Sequence, residues 1–552
     1  MLRPTIAVAA LCLIGACAPI EVHEPPREPA RQPDPEAGQL TLPGGERLWV
    51  HPDALEISGQ ARYRWPDGKT YQGQWAAGQP HGVGTMTHPS GDRYSGTWQS
   101  GQRHGHGELT DADGSHYVGE FVSGLRSGEG AQRSARGLYR GAWAQDLPSG
   151  YGEFFATDGS VYRGQWGQGV RQGTGTYTDA QGSRYQGDWL ADQPHGFGHL
   201  ASADGTDYEG RWVAGKRDGY GRASELSGLR YEGTWIADVR QGYGRMSRPD
   251  GSSYLGEWLA GKRHGKGREN SSTGADHQGT WENDLPRGPG TRTDSSGISI
   301  SGAWENSQVS AGLLSLPTGP EYAGPLFSSN QTRASTALQT WLIQVAAQGD
   351  PYAALVLGRL FSDFNEPAPD PARAAGYFDQ AAAAGLAEAQ YRLALSFEQS
   401  RPPRAIELLV LAADADHPRA NAALGRCYLR GEIVPADADI ALRYLQRGTD
   451  LGDIQARNDL AWLLATNREL LDPPRAVALI EPIATFLGDW QYLATLAAAH
   501  AASGEFVRAA LAQTTAIDHA QADSKTKPST LQQMQQRLER YRRNEATMEI
   551  KP

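Results

Sequence analysis

The chain has 552 residues, with 52 Lys and Arg against 63 Asp and Glu, a formal net charge of −11. That balance excludes a nucleic-acid partner, which needs a basic stripe, and a polybasic patch for anionic lipid. Three cysteines, Cys12, Cys17 and Cys427, give no disulfide framework in a chain of this length.

Met1-Leu2-Arg3-Pro4 places one positive charge ahead of an apolar run from Thr5 to Ala16. The run is too short for a bilayer-spanning helix, so residues 1–16 read as a signal peptide. It ends at Ile14-Gly15-Ala16-Cys17, which resembles a bacterial lipobox with Cys17 as the acylated first mature residue. By that resemblance, Ala18 after the cysteine implies a lipid anchor on the periplasmic face of the outer membrane. Residues 17–46 are rich in Pro and Glu, as at Glu24-Pro25-Pro26-Arg27-Glu28-Pro29, and read as an extended tether.

From 47 to 327 a five-residue phrase returns nearly every 23 residues: Tyr71-Gln72-Gly73-Gln74-Trp75, then Tyr94, Gly96 and Trp98, and Tyr162, Gly164 and Trp166. It goes on through Tyr185, Gly187 and Trp189; Tyr208, Gly210 and Trp212; Tyr231, Gly233 and Trp235; Tyr254, Gly256 and Trp258. Positions i, i+2 and i+4 of a strand share a face, so each Tyr, Gly and Trp points one way, and the Gly leaves a slot for an aromatic ring of the next unit. Asp-Gly pairs three residues before the Tyr, such as Asp67-Gly68 and Asp113-Gly114, predict a tight hairpin turn. A second bend falls seven residues after the Tyr, at Gly78, Gly101, Asp146 or Asp192, and a Gly-x-Gly such as Gly82-Val83-Gly84 opens the return strand. The fold class is therefore a β + α repeat protein: an elongated single-layer antiparallel meander of about twelve hairpins, followed by an α-solenoid.

This phrase, with its His-Gly-x-Gly return, resembles the MORN repeat over roughly residues 60–310. His277 and Ile300 replace the Tyr in the last units, which read as a capping end. After a linker at 328–336 the composition turns to Ala and Leu. A Leu-small pair recurs at Leu357-Gly358, Leu393-Ala394, Leu424-Gly425, Leu460-Ala461 and Leu496-Ala497. Small residues at fixed helical positions let paired helices pack closely, giving a solenoid over 337–522. Leu424 to Gly431 resembles the Sel1-like repeat, and the stretches around Leu460 and Leu496 resemble the tetratricopeptide repeat. Residues 523–552 hold a capping helix, from about Ser529 to Thr547, and the tail.

No nucleophile elbow, zinc-binding His pair or phosphate loop is present. His81, His104, His195 and His264 share one repeat position, yet Ser127, Gln172 and Asp218 fill it in other units, so a polar turn is expected rather than a metal ladder. The expectation is thus no catalytic residue, no metal and no cofactor. Cys427 reads as a buried structural thiol. The function expected is a non-enzymatic, lipid-anchored envelope scaffold whose partners are proteins. The alternative is a glycan- or lipid-binding face formed by the Tyr and Trp rows, which otherwise serve as the sheet's own core. An exposed edge strand also offers pairing of two copies as a homodimer.

Overall fold

The computed structural model describes residues 34–327, 334–363 and 369–546. Cys17, the signal peptide and most of the tether lie outside the described residues. Two compact units divide the chain: 34–204 with 211–216, and 205–210 with 217 onward. Twenty-six strands precede twelve α-helices among the described residues.

The sheet begins earlier than the composition of the tether indicates. β1 (Gly38–Thr41) pairs antiparallel with both β2 (Arg47–Val50) and β3 (Gly59–Arg64). Leu40, 5% exposed, anchors it, and the Tyr63 hydroxyl donates to the carbonyl of Val50 at 2.8 Å. Residues 38–41, placed above in the tether, are therefore strand, because their polar–apolar alternation gives one face to bury.

One repeat shows how the rest are made. The strand Thr70–Ala76 pairs with Gln79–Thr87, which pairs in turn with Arg93–Gln99. The tight turn is residues 77–78, where both Ala77 and Gly78 have positive φ, 47° and 72°. Two successive left-handed residues make a type I′ turn, whose twist matches the flanking strands. The Asp-Gly pairs, expected to form this turn, sit at the other end in longer loops such as 65–69. There only Gly68 has positive φ, and Asp67 Oδ1 accepts from the Lys69 amide at 3.0 Å.

The Gly-x-Gly also lies elsewhere than expected, starting at the fourth residue of its strand rather than opening it. Gly73 pairs with Gly84 but Trp75 pairs with Pro80, so the return strand bulges across His81-Gly82-Val83, with Gly82 at φ 61°. Gly84 has a different task. A Cβ there would lie 2.1 Å from Tyr71 Oη, so the slot above the Gly73–Gly84 pair is filled by the tyrosine of the same unit, not by a ring from the next.

In the second unit the helices are α1 (Thr336–Ala347), α2 (Pro351–Asp363), α3 (Pro371–Ala383), α4 (Ala387–Phe397), α5 (Pro402–Asp414) and α6 (Pro418–Arg430). They continue as α7 (Ala438–Asp450), α8 (Ile454–Thr466), α9 (Pro473–Leu487), α10 (Trp490–Ala502), α11 (Phe506–Ala522) and α12 (Pro528–Arg542). The Leu-small pairs fall on α2, α4, α6, α8 and α10. A Cβ at Gly358 would meet Phe378 of α3 at 2.5 Å, and one at Gly425 would meet Leu445 of α7 at 2.5 Å, so close helix approach requires these glycines. Trp304 and Leu314 of the last strands, with Leu326 just after them, share a core with Leu338 and Leu342 of α1, so this unit joins sheet and solenoid. Arg359 of α2 donates to Asp294 at 2.5 Å and to Ser296 Oγ at 3.2 Å, and Arg457 of α8 donates to the Pro249 carbonyl at 2.9 Å.

Candidate binding surfaces

The aromatic rows are satisfied within the sheet. The hydroxyls of Tyr71, Tyr94, Tyr162 and Tyr185 each donate to the carbonyl three residues on, at 2.9 to 3.0 Å. Tyr231 and Tyr254 do the same at 3.1 Å. Burial pushes the phenols of Tyr71, Tyr94, Tyr162, Tyr208 and Tyr231 up to about 12, and those of Tyr185 and Tyr254 up as well. The indole N–H groups of Trp98, Trp189, Trp212 and Trp258 donate to Gly84, Gly175, Gly198 and Gly244 in the preceding strand. Rings of neighbouring units meet edge to face, as in Tyr71–Trp98 at 5.3 Å, Tyr162–Trp189 at 5.2 Å and Tyr185–Trp212 at 5.3 Å. Tyr208 meets Trp235 in the same way at 5.8 Å. Gly164, Gly210, Gly233 and Gly256 are buried on the same row, with Gly96 and Gly187 half-buried.

Arginines cover these rings. Arg126, Arg171, Arg217, Arg240 and Arg263 lie over Trp143, Trp189, Trp235, Trp258 and Trp281, 4.2 to 4.7 Å from the ring centroids. Each is fixed by the bend of the next unit. Arg126, Arg171, Arg217 and Arg263 donate to Asp146, Asp192, Asp238 and Asp284 through Nε, and to the same residues' carbonyls. Arg103 and Arg240 reach the carbonyls of Gly124 and Gly261. The ladder joins residues of successive units, so a single repeat does not reveal it.

At the capping end His277 takes the tyrosine's place, 6% exposed, packed on Trp281 and Trp304. Neither ring nitrogen has a hydrogen-bond partner. Burial, with Arg292 adding to it, lowers its pKa to about 4. The repeated histidines stay apart: His81 is exposed, and His104, His195 and His264 are half-buried. Among the described residues no cluster of His, Cys, Asp and Glu of metal-site size exists. No described helix is long and apolar enough to cross a membrane. Cys427 is a half-buried free thiol whose pKa burial pushes up.

On the solenoid, a cavity of about 560 Å³ opens between α6, α8, α10 and α12. Trp462 and Trp490 line it with Arg426, Arg430, Lys525, Lys527 and Arg537. Arg426 pairs with Asp459 at 3.1 Å and Arg537 lies 4.7 Å from the Trp462 ring. Arg430 and Lys527 form no ion pair among the described residues. Cations thus outnumber carboxylates here in a chain that is acidic as a whole.

Comparison with known families agrees with this geometry. The MORN repeat matches eleven segments from 56–70 to 277–299, and the Sel1 repeat matches 351–386, 387–417 and 418–453. The chain is a MORN-repeat protein with a Sel1-type solenoid. Each Sel1 match covers one helix pair, α2–α3, α4–α5 and α6–α7. No curated protein matches the chain. Among solved structures it is similar to c5321, a protective antigen of uropathogenic Escherichia coli with an SLR fold, at 21% identity, covering 33% of this chain and 41% of that one, TM-score 0.30. A Sel1 repeat protein from Oxalobacter formigenes matches at 20% identity over 37% of this chain and 94% of that one, TM-score 0.29. YrrB, a TPR protein with an unusual peptide-binding site, matches at 19% over 36% and 97%, TM-score 0.27. The MORN–Sel1 chain thus spans less than half of the first of these relatives.

Proposed function

We propose that this MORN–Sel1 protein is a non-enzymatic adaptor of the bacterial cell envelope, tethered through an acylated Cys17 and recognising protein partners with its solenoid. The observation that carries the reading is the cationic, tryptophan-lined cavity between α6 and α12. Exposed Arg430, Lys525 and Lys527 surround Trp490, and buried Arg537 backs Trp462, an arrangement suited to a peptide segment with acidic and aromatic side chains. Solenoids of this kind offer extended concave surfaces rather than reaction sites. The lipobox-like Ile14-Gly15-Ala16-Cys17 supports the anchor, and three acyl chains there would hold the protein firmly.

The test keeps the whole chain, because Trp304, Leu314 and Leu326 share a core with α1 and truncation would open it. Tagged protein is solubilised from its native envelope and co-purifying proteins are compared between wild type and an Arg430→Glu/Lys527→Glu variant. The adaptor reading requires specific proteins that the variant loses. Fractionation of Cys17→Ser tests the anchor: the variant should leave the membrane fraction.

A further inference from the structure

The arginine cover over the aromatic row is broken where a unit carries proline in the arginine's place, as at Pro80 before Trp98 and Pro148 before Trp166, and of these two rings only Trp166 is left half-buried. Where neighbouring units carry Arg126 and Arg171, the unit between them has Pro148, and no guanidinium lies over Trp166 among the described residues. The repeat also shortens there, from 23 residues to 22 between Tyr117 and Tyr139. Strands Leu125–Ser134 and Gly137–Ala144 are joined by 135–136 alone, whereas the preceding unit uses 111–115. Both changes remove covering atoms. Trp166 is accordingly half-buried, while the rung tryptophans from Trp75 to Trp304 are otherwise all buried.

The gap is a cavity of about 580 Å³, within the range of small-molecule sites. Its walls are rings, Tyr139, Phe154, Trp166 and Tyr177, with Phe154 set at 75° to Trp166 at 6.4 Å. The Trp166 N–H and the Tyr139 hydroxyl are spent on the Gly152 and Ala142 carbonyls, so these two rings offer their faces and no donors. The polar lining is Gln132, which supplies an amide, Ser134, Ser160, the mutually paired Arg171 and Asp192, and Arg136, which lies in the shortened turn, is exposed and forms no ion pair among the described residues. No Leu, Ile, Val or Met lines the cavity, so an acyl chain would find no aliphatic wall.

We propose that this cavity is a saccharide site that takes one pyranose residue of an acidic glycan. The polarised C–H groups of a pyranose face suit the negative face of an aromatic ring. Its hydroxyls suit the Gln132 amide, and a ring carboxylate suits the Arg136 guanidinium. The site goes beyond the adaptor reading and stands or falls apart from it, since it lies on the sheet and the partner cavity lies on the solenoid.

The test is calorimetric titration of the whole protein with tetragalacturonate. Binding should weaken at least fivefold in Arg136→Gln, whose exposed side chain is not needed for folding. It should weaken at least tenfold in Pro148→Arg/Gly169→Asp, which rebuilds the neighbouring Arg–Asp cover across the gap, with a melting temperature at or above wild type. Equal affinity in wild type and Arg136→Gln overturns the proposal, as does the absence of saturable binding. Loss of phosphatidylglycerol-vesicle binding in these variants, with no effect on the saccharide, would assign the cavity to lipid and overturn it as well.

Discussion

Arg171 donates through Nε to Asp192 Oδ1 at 3.0 Å while its guanidinium carbon sits 4.5 Å from the centre of Trp189. One side chain therefore lies over the tyrosine of its own unit and the tryptophan of the next, and is tied to the bend of that next unit. Asp192 holds its backbone at φ 66°, a conformation that Gly or Asp adopts readily, so the same aspartate serves the type I′ turn and the arginine.

Arg171→Ala should destabilise the sheet by about 1–2 kcal/mol, more than the roughly 0.2–1 kcal/mol of an exposed ion pair, because ring cover is lost with the charge. Asp192→Gly should be milder, since glycine keeps the turn. A double-mutant cycle read by chemical denaturation checks the coupling, which should be positive and about 0.5–1 kcal/mol.

Trp98→Ala and Trp189→Ala remove buried indoles that touch the tyrosines of two units, and each should lose about 3–5 kcal/mol of local stability. Hydrogen exchange should show lost protection concentrated in the strands that flank the substituted rung. Unchanged melting and exchange in both variants would refute the structural role given to these rings.

The same row shows how far the sequence could be read. Period, hairpins and solenoid followed from alternation at spacing two and from the Leu-small pairs, because those patterns record burial directly. The covering arginines were also written in the sequence. Every Asp at the second bend, namely Asp146, Asp192, Asp238 and Asp284, follows a unit with Arg nine residues after its Tyr, and Pro80, Pro148 and Pro194 precede Gly101, Gly169 and Gly215. Reading each unit alone hid that relation, since the partners lie 20 or 21 residues apart. The tight turn was misplaced for a related reason: Ala77 and Ser100 carry positive φ that their residue types do not advertise. The solenoid cavity collects residues from α6 to α12 that only helix packing brings together.

His277 and Glu388 give acid sensitivity in two windows. The folded chain holds the His277 imidazole neutral, at about 4 against an ordinary 6.5, so the unfolded chain takes up the proton first. Stability is full above pH 6.5 and falls as the pH drops toward 4, by up to roughly 3 kcal/mol. His277→Tyr should abolish that loss and raise the melting temperature, because a tyrosine hydroxyl there can donate to the Thr280 carbonyl. Circular-dichroism melts at pH 7 and pH 5 check both.

Glu388 extends this acid sensitivity lower on the pH scale. Burial alone would raise its carboxyl, but donation from His417 at 2.8 Å and Arg392 at 2.7 Å, with the Arg359 charge, outweighs it and holds the pKa at about 2. Its stabilisation is present above the ordinary value of 4.5 and is lost as the pH falls from there toward 2. Glu388→Gln should therefore lose about 3 kcal/mol at pH 7 and little at pH 2.

The adaptor account is tested most directly by a photo-crosslinking residue placed at Gln491, an exposed position in the cavity wall of α10, in the whole protein within its native envelope. The account predicts one or a few specific protein adducts that disappear when Arg430→Glu and Lys527→Glu are added. No protein adduct, or adducts indifferent to those charge reversals, would contradict it.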